Sequence, residues 1–137
     1  MGRPASNLNR EDWIDLALQK LSEGGIDKVS IAGLARDLNV TKGSFYWHFK
    51  DRDDLLQAML DRWETTGSEV VFSEIERVGG DAVRRLKHMS DIIFRRYGNE
   101  LNFEFALREW GRKDAKIRQI IGREDERRMD YMRGLFA

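Results

Sequence analysis

Apolar residues recur along most of this chain at intervals of three and four positions, the spacing of one face of an α-helix. The first stripe lies between Asn9 and the pair Gly24-Gly25, and its members are Trp13, Ile14, Ala17, Leu18 and Leu21. Asn9, with Asp12 following it, suits a helix N-cap, and glycines suit a helix end. The pattern therefore predicts a first amphipathic helix between these limits.

Two shorter helical stripes follow. Ser30 is a candidate cap for a helix whose apolar positions are Ile31, Leu34, Ala35 and Leu38. Asn39 suits a left-handed stop, Val40 a buried connector and Thr41 the next cap, before a third helix from Lys42 to about Phe49. The two helices are thus joined by about three or four residues, which predicts a helix-turn-helix.

The helical pattern continues after this unit. Asp51, with Asp54 in the first turn, is the predicted cap of a fourth helix, whose apolar residues are Leu55, Leu56, Met59, Leu60 and Trp63. Gly79-Gly80 is the clearest later break, and Asp81 is the predicted cap of a fifth helix that ends near Tyr97.

Two further helices are predicted, one from Leu101 to about Arg112 and one from about Asp114 to Leu135. The pattern as a whole predicts an all-α protein. We divide it into a flexible arm at residues 1–8, a three-helix domain with the helix-turn-helix at 9–52, and a helical regulatory domain at 53–137.

Composition excludes several classes of protein. The chain of 137 residues has 24 lysines and arginines against 24 aspartates and glutamates, so any attraction for nucleic acid must be local. It has no cysteine and two histidines, so we expect no disulfide, no metal site and no cofactor. Without a signal-peptide run or a stretch of about 20 apolar residues, we expect a cytoplasmic protein that does not contact a membrane.

The segment from Thr41 to Lys50 divides its side chains between two faces when it is wound as a helix. Phe45 and Phe49 share one face and suit packing on the first two helices. The opposite face carries Gly43, Trp47 and Lys50, and its flanks carry Ser44, Tyr46 and His48. A tryptophan that points away from the core suits a DNA groove, which offers phosphates, base edges and thymine methyl groups.

Charge and helix ends favour the same interpretation. Lys42, Lys50 and Arg52 stand against Asp51 in residues 41–52, so this window carries a net charge of about +2. Ser30 and Thr41 lie at helix N-termini, where free N–H groups favour a phosphate, and Gly43 allows close backbone approach.

Two other functions are compatible with some of these residues. An outward aromatic face at Tyr46 and Trp47 also suits a partner protein. Ser44, His48 and Asp51 are close in sequence, but a short exposed helix provides no pocket for catalysis, so we expect no enzyme activity.

The run Val-Thr-Lys-Gly-Ser-Phe-Tyr-Trp-His-Phe-Lys, followed by Asp-Arg-Asp-Asp-Leu-Leu, closely resembles the recognition-helix signature of the TetR family of bacterial transcriptional regulators. The resemblance covers residues 10 to about 60. It implies phosphate contacts from Ser30, Thr41, Lys42, Tyr46, His48, Lys50 and Arg52. It also implies approach to base edges by Gly43, Ser44 and Trp47.

The resemblance implies a mode of action as well. Members of the family form homodimers and bind a small ligand. From such a symmetric dimer we expect binding to a palindromic operator, and repression that a small apolar effector relieves. Their larger helical domain holds the effector and dimerises through two C-terminal helices; we expect this chain to stop short of that pair. Candidate effector contacts, which equally suit a plain core, are Trp63, Phe72, Met89, Phe94, Phe103, Phe105 and Trp110.

Overall fold

A computed structural model describes residues 8–136 of the chain, with the backbone alone at residues 97–101. It consists of α1 (Arg10–Gly24), α2 (Ile31–Asp37), α3 (Lys42–His48), α4 (Arg52–Glu64), α5 (Val70–Val78), α6 (Ala82–Lys113) and α7 (Ala115–Leu135). A 3-10 turn at Ile26–Lys28 precedes α2, and a π-helical turn at Thr65–Glu69 joins α4 to α5. These residues include no β-strand, which confirms the all-α prediction.

The helices begin at the residues that the sequence predicts. Asn9, Ser30, Asp51 and Asp81 each accept a backbone N–H from the first turn of the helix that follows. At α1 the side chain of Asp12 also accepts the N–H of Asn9, so that two free backbone donors are satisfied reciprocally. Local side-chain chemistry therefore fixes where each of these helices starts.

The predicted break between Tyr97 and Leu101 is wrong, because α6 continues through it to Lys113. A single glycine inside a helix costs only about 1 kcal/mol relative to alanine. Gly98 is isolated, unlike the pair at Gly79-Gly80, where both residues have positive φ and the chain does turn. The end of α6 at Lys113 and the start of α7 after Asp114 agree with the prediction.

The turn between α2 and α3 also has the predicted form. Asn39 has a φ of 58°, the left-handed conformation that ends α2. Val40 is half-buried and donates its N–H to the carbonyl of Ala35 at 2.9 Å. Thr41 stands at the N-cap position of α3, although its side chain makes no capping bond.

Two hydrophobic clusters hold the helices together. The larger one extends through α1, α2, α3 and α4 and includes Leu107 and Trp110 of α6 and Ile117, Ile120 and Ile121 of α7. The smaller one contains Val71 and Ile75 of α5 and Ile92 of α6, with Met89 and Tyr131 packed against it. The larger cluster crosses residue 52, where the sequence predicts a domain boundary, so α4 packs with the helix-turn-helix. The division into domains itself stays a prediction.

Candidate nucleic-acid interface

Two phenylalanines anchor α3 to the rest of the protein. The side chains of Phe45 and Phe49 are 0% and 2% exposed, and their rings stack with centroids 5.1 Å apart. Phe45 also meets the ring of Trp13 from α1 edge-on at 5.4 Å. These contacts fix both the position and the rotation of the short helix.

The opposite side of α3 is free of the core. Trp47 is 85% exposed and Tyr46 is 55% exposed, and Lys42, Gly43 and Lys50 are exposed beside them. Ser44 and His48 lie half-buried on one flank of the helix. The structure therefore brings these predicted DNA-contacting residues onto one surface, which we call the α3 face.

The predicted residues at the helix ends differ in how they are used. Ser30 is exposed, and its Oγ accepts the N–H of Gly33 at 3.0 Å, so it caps α2. Thr41 is exposed and its side chain makes no capping bond to α3. Of these two exposed hydroxyls, only that of Ser30 is thus engaged by the helix it precedes.

Arg52 serves the fold directly. Its Nε donates to the carbonyl of Val29 at 2.9 Å and its Nη2 to that of Ile26 at 3.3 Å. These bonds tie the first residue of α4 to the segment that leads into α2. The sequence gives no local sign of this role, since the accepting carbonyls lie more than twenty positions earlier in the chain.

Sequence reasoning omitted one basic residue that lies beside the predicted DNA contact Ser30. Arg36 of α2 is exposed, and a Cβ placed on Gly33 would lie 3.7 Å from its Nη2 and 2.8 Å from the Oγ of Ser30. The guanidinium of Arg36 therefore lies beside the start of α2. Arg36 lies three positions after Gly33, and residues three apart share one side of a helix; this spacing is the signal in the sequence that could have identified it.

The predicted effector contacts separate into three groups. Phe72 and Met89 line a cavity of about 380 Å³ among α5, α6, α7 and the π-helical turn. Trp63 and Phe103 line a smaller depression of about 230 Å³. Phe94, Phe105 and Trp110 line neither: the first two are exposed on α6, and Trp110 belongs to the larger hydrophobic cluster.

The larger cavity has an aromatic wall and a polar end. Phe72 stacks on Tyr131 with ring centroids 4.1 Å apart. The hydroxyl of Tyr131 donates to Glu76 at 2.8 Å, and burial together with this bond raises the pKa of Tyr131 to about 12. Arg96, Glu104 and Arg128 form the polar end.

The described residues contain no cluster of three or more potential metal ligands. None of the helices in the described part of the chain is long and apolar enough to span a bilayer.

The helices α2 and α3 form a tight pair. Buried rings anchor α3, the second helix of the pair, and its other side exposes aromatic, hydroxyl and basic groups. This arrangement defines a DNA-binding domain of the helix-turn-helix class.

Comparison with known proteins finds similar sequences for the N-terminal part of the chain. The family described as bacterial regulatory proteins, tetR family, matches residues 14–59. The chain is 36% identical to the HTH-type transcriptional regulator AcrR of Shigella flexneri over 49% of this chain and 30% of that protein. It is 43% identical to the class D tetracycline repressor protein of Escherichia coli over 39% of this chain and 25% of that protein.

A longer alignment is made with the HTH-type transcriptional regulator YwcC of Bacillus subtilis, at 24% identity over 70% of this chain and 45% of that protein. No solved structure matches the chain. The part of the chain that resembles the tetR family of bacterial regulatory proteins is therefore its N-terminal region, which includes the helix-turn-helix. The stretch it shares with AcrR and with the class D tetracycline repressor spans 30% and 25% of their lengths.

Proposed function

We propose that this protein is a transcriptional regulator that binds operator DNA through the α3 face. The observation that carries the proposal is the exposure of Trp47 and Tyr46, 85% and 55%, on a helix whose neighbouring phenylalanines are buried. Two large aromatic side chains held in water by a rigid anchor are available for a groove, where rings contact sugars and thymine methyl groups. The cytoplasm, where bacterial DNA lies, is the compartment in which we expect it to act.

A homodimer supplies the second half of the proposed interaction. Two copies of α3, related by a twofold axis, would enter successive major grooves of a palindromic operator. An effector that prefers the dimer with the wrong spacing would weaken DNA binding by that difference in affinity. This arrangement makes the protein a repressor that a small molecule releases, as the name of one relative, the tetracycline repressor, suggests.

Binding to an operator selected from random DNA tests the proposal, with affinity measured by fluorescence anisotropy. We expect Trp47→Ala, which removes a predicted base contact, and Tyr46→Ala, which removes a predicted hydrogen bond to a charged phosphate, each to weaken binding by about fivefold to a hundredfold, since either contact contributes about 1–3 kcal/mol. Phe94→Ala is the matched control, because Phe94 is also an exposed aromatic, 76% accessible, but lies on α6. Full affinity in both α3 variants would contradict the proposal.

Salt dependence separates DNA binding from a protein interface. Each phosphate that a cation neutralises contributes about −0.9 to the slope of log affinity against log salt. Lys42→Gln should reduce that slope by about 1, whereas Lys87→Gln, an exposed lysine on α6, should leave it unchanged. Affinity for a macromolecular partner that is insensitive to salt would instead favour protein recognition by the α3 face.

A further inference from the structure

The cavity among α5, α6 and α7 is large enough for a small organic molecule. Its volume of about 380 Å³ falls within the usual range of ligand sites. Most of its walls are apolar, provided by Val71, Phe72, Met89, Ile92, Tyr131 and Met132. Phe72 and Tyr131 stack with an interplanar angle of 12°, so the two rings line the cavity as one rigid aromatic pair.

Arg128 is held in a defined position at the polar end of this cavity. Its Nε donates to the Oγ of Ser68 at 2.8 Å, and its Nη2 donates to Glu104 at 3.2 Å. The guanidinium also lies over the ring of Trp63, 5.0 Å from the centroid. A guanidinium carries five N–H donors, so these two bonds leave others for a ligand.

The carboxylate at this end is already compensated. Glu104 accepts the Nε1–H of Trp63 at 2.9 Å in addition to the bond from Arg128. The guanidinium of Arg108 lies 3.7 Å from its other oxygen. A cationic ligand would therefore compete with an indole and two arginines for Glu104, whereas an acid group can bond the guanidinium of Arg128 directly.

We propose that this cavity binds an organic anion with an apolar body, such as an aromatic carboxylate. Arg128 holds the acid group, and the body lies against Phe72 and Tyr131. The role of this ligand as effector rests on the proposed function. Because Arg128 packs on Trp63 in the last turn of α4, the acid group acts next to the helix that leads back to the α3 face.

Calorimetric titration of the full chain with three probes of matched shape tests this inference: naphthoate, naphthylmethanol and naphthylmethylamine. We expect naphthoate to bind at least about tenfold more tightly than the neutral alcohol, because a charge-assisted hydrogen bond to a positioned arginine is stronger than a neutral one. The protonated amine should bind most weakly of the three.

Variants of the polar end give changes in opposite directions. Arg128→Gln should weaken naphthoate binding by about tenfold or more while leaving binding of the alcohol unaffected. The naphthoate affinity of Arg128→Lys should lie between those of the wild type and Arg128→Gln. Glu104→Gln should strengthen naphthoate binding, since it removes the competing negative charge. A purely structural role for Glu104 would weaken binding of all three probes. Arg118→Gln, an exposed arginine on α7, is the control and should change none of them.

Three results would overturn the inference: equal affinity for the acid and the alcohol, tighter binding of the amine, or no binding of any probe at millimolar concentration. Unchanged naphthoate affinity in a folded Arg128→Gln variant would also overturn it. If that variant fails to fold, the naphthoate affinity of Glu104→Gln decides: stronger binding supports the inference and weaker binding overturns it. Selective naphthoate binding by a protein that binds no DNA would overturn the proposed function alone. Operator binding without the anion preference would overturn only this inference.

Discussion

At the scale of single residues, Phe45 and Trp47 show how one short helix serves two purposes. Phe45 is fully buried against Trp13, whereas Trp47, half a turn further along, is 85% exposed. A buried ring stabilises the fold through the area it removes from water and the contacts it fills. An exposed ring contributes little to folding and is available for binding.

Alanine substitution should separate these two roles. We expect Phe45→Ala to lower the free energy of unfolding by about 3–5 kcal/mol, the usual cost of a large cavity in a core. Trp47→Ala should change it by less than about 0.5 kcal/mol, because the side chain is exposed. Urea denaturation followed by circular dichroism measures both, and comparable losses from the two variants would contradict the assignment of faces.

Arg52 provides a second prediction at this scale. Loss of its bonds to two backbone carbonyls in Arg52→Gln should cost about 1–3 kcal/mol of stability, because partly buried acceptors lose their partner. Arg36→Gln removes an exposed arginine from the neighbouring helix and should cost less than about 0.5 kcal/mol. Denaturation midpoints compare the two variants, and an Arg52 variant as stable as the wild type would show that these bonds contribute little.

At the scale of elements, the turn between α2 and α3 sets the direction in which α3 leaves its partner. The left-handed residue Asn39, with a φ of 58°, is the point where the chain changes direction. Non-glycine residues other than asparagine and aspartate adopt this conformation at a cost of about 1–2 kcal/mol.

The effect of a substitution at Asn39 on stability should therefore depend on how readily the new residue adopts the left-handed conformation. Asn39→Ala is expected to lower stability by about 1 kcal/mol, while Asn39→Gly should preserve or slightly increase it. Thermal unfolding distinguishes the two, and DNA affinity should fall with Asn39→Ala if the turn also orients α3. An alanine variant at least as stable as the glycine variant would contradict this account.

The contact between α6 and α7 makes stability depend on pH. Both Nη atoms of Arg108 donate to Asp125 at 2.9 Å, which lowers the pKa of the Asp125 carboxyl. The folded state therefore favours ionised Asp125, and this contribution is present above the pKa of the unfolded chain. It is lost as pH falls through the lower folded pKa.

Asp125→Asn should consequently be less stable than the wild type near neutral pH, and the difference should shrink as the solution is made acid. Denaturation curves collected between neutral pH and about pH 2 measure it, because the ordinary aspartate pKa is about 3.9. Glu126→Gln, an exposed carboxylate on the same helix, is the comparison. A difference between Asp125→Asn and wild type that is constant with pH would show that charge is not its source.

At the scale of the whole molecule, the helices of the helix-turn-helix do not form a core by themselves. The larger cluster draws Leu55, Met59 and Leu60 from α4 and Leu107 and Trp110 from α6. The pairing of Arg62 in α4 with Glu11 and Asp15 in α1 adds a polar connection between the same elements. The position of α3 thus depends on helices that follow it in the chain.

A fragment of residues 1–52 should therefore fail to unfold cooperatively, because it lacks the apolar side chains that α4, α6 and α7 contribute to the larger cluster. Far-ultraviolet circular dichroism during heating compares it with the full chain. A cooperative transition in the fragment at the same midpoint would show that the helix-turn-helix region folds independently.

The sequence alone determined the features that depend on neighbours in the chain. Caps such as Ser30 and Asp51, the left-handed Asn39 and the two faces of α3 follow from local hydrogen bonding and helical periodicity, which act over a few residues. Tertiary structure decided the uninterrupted course of α6 past Gly98, the role of Arg52, and the choice of Phe72 and Met89 over Phe94 and Phe105 as cavity residues. Each of these depends on which distant segments meet, and helical periodicity assigns a face to every apolar residue without naming the segment that will cover it.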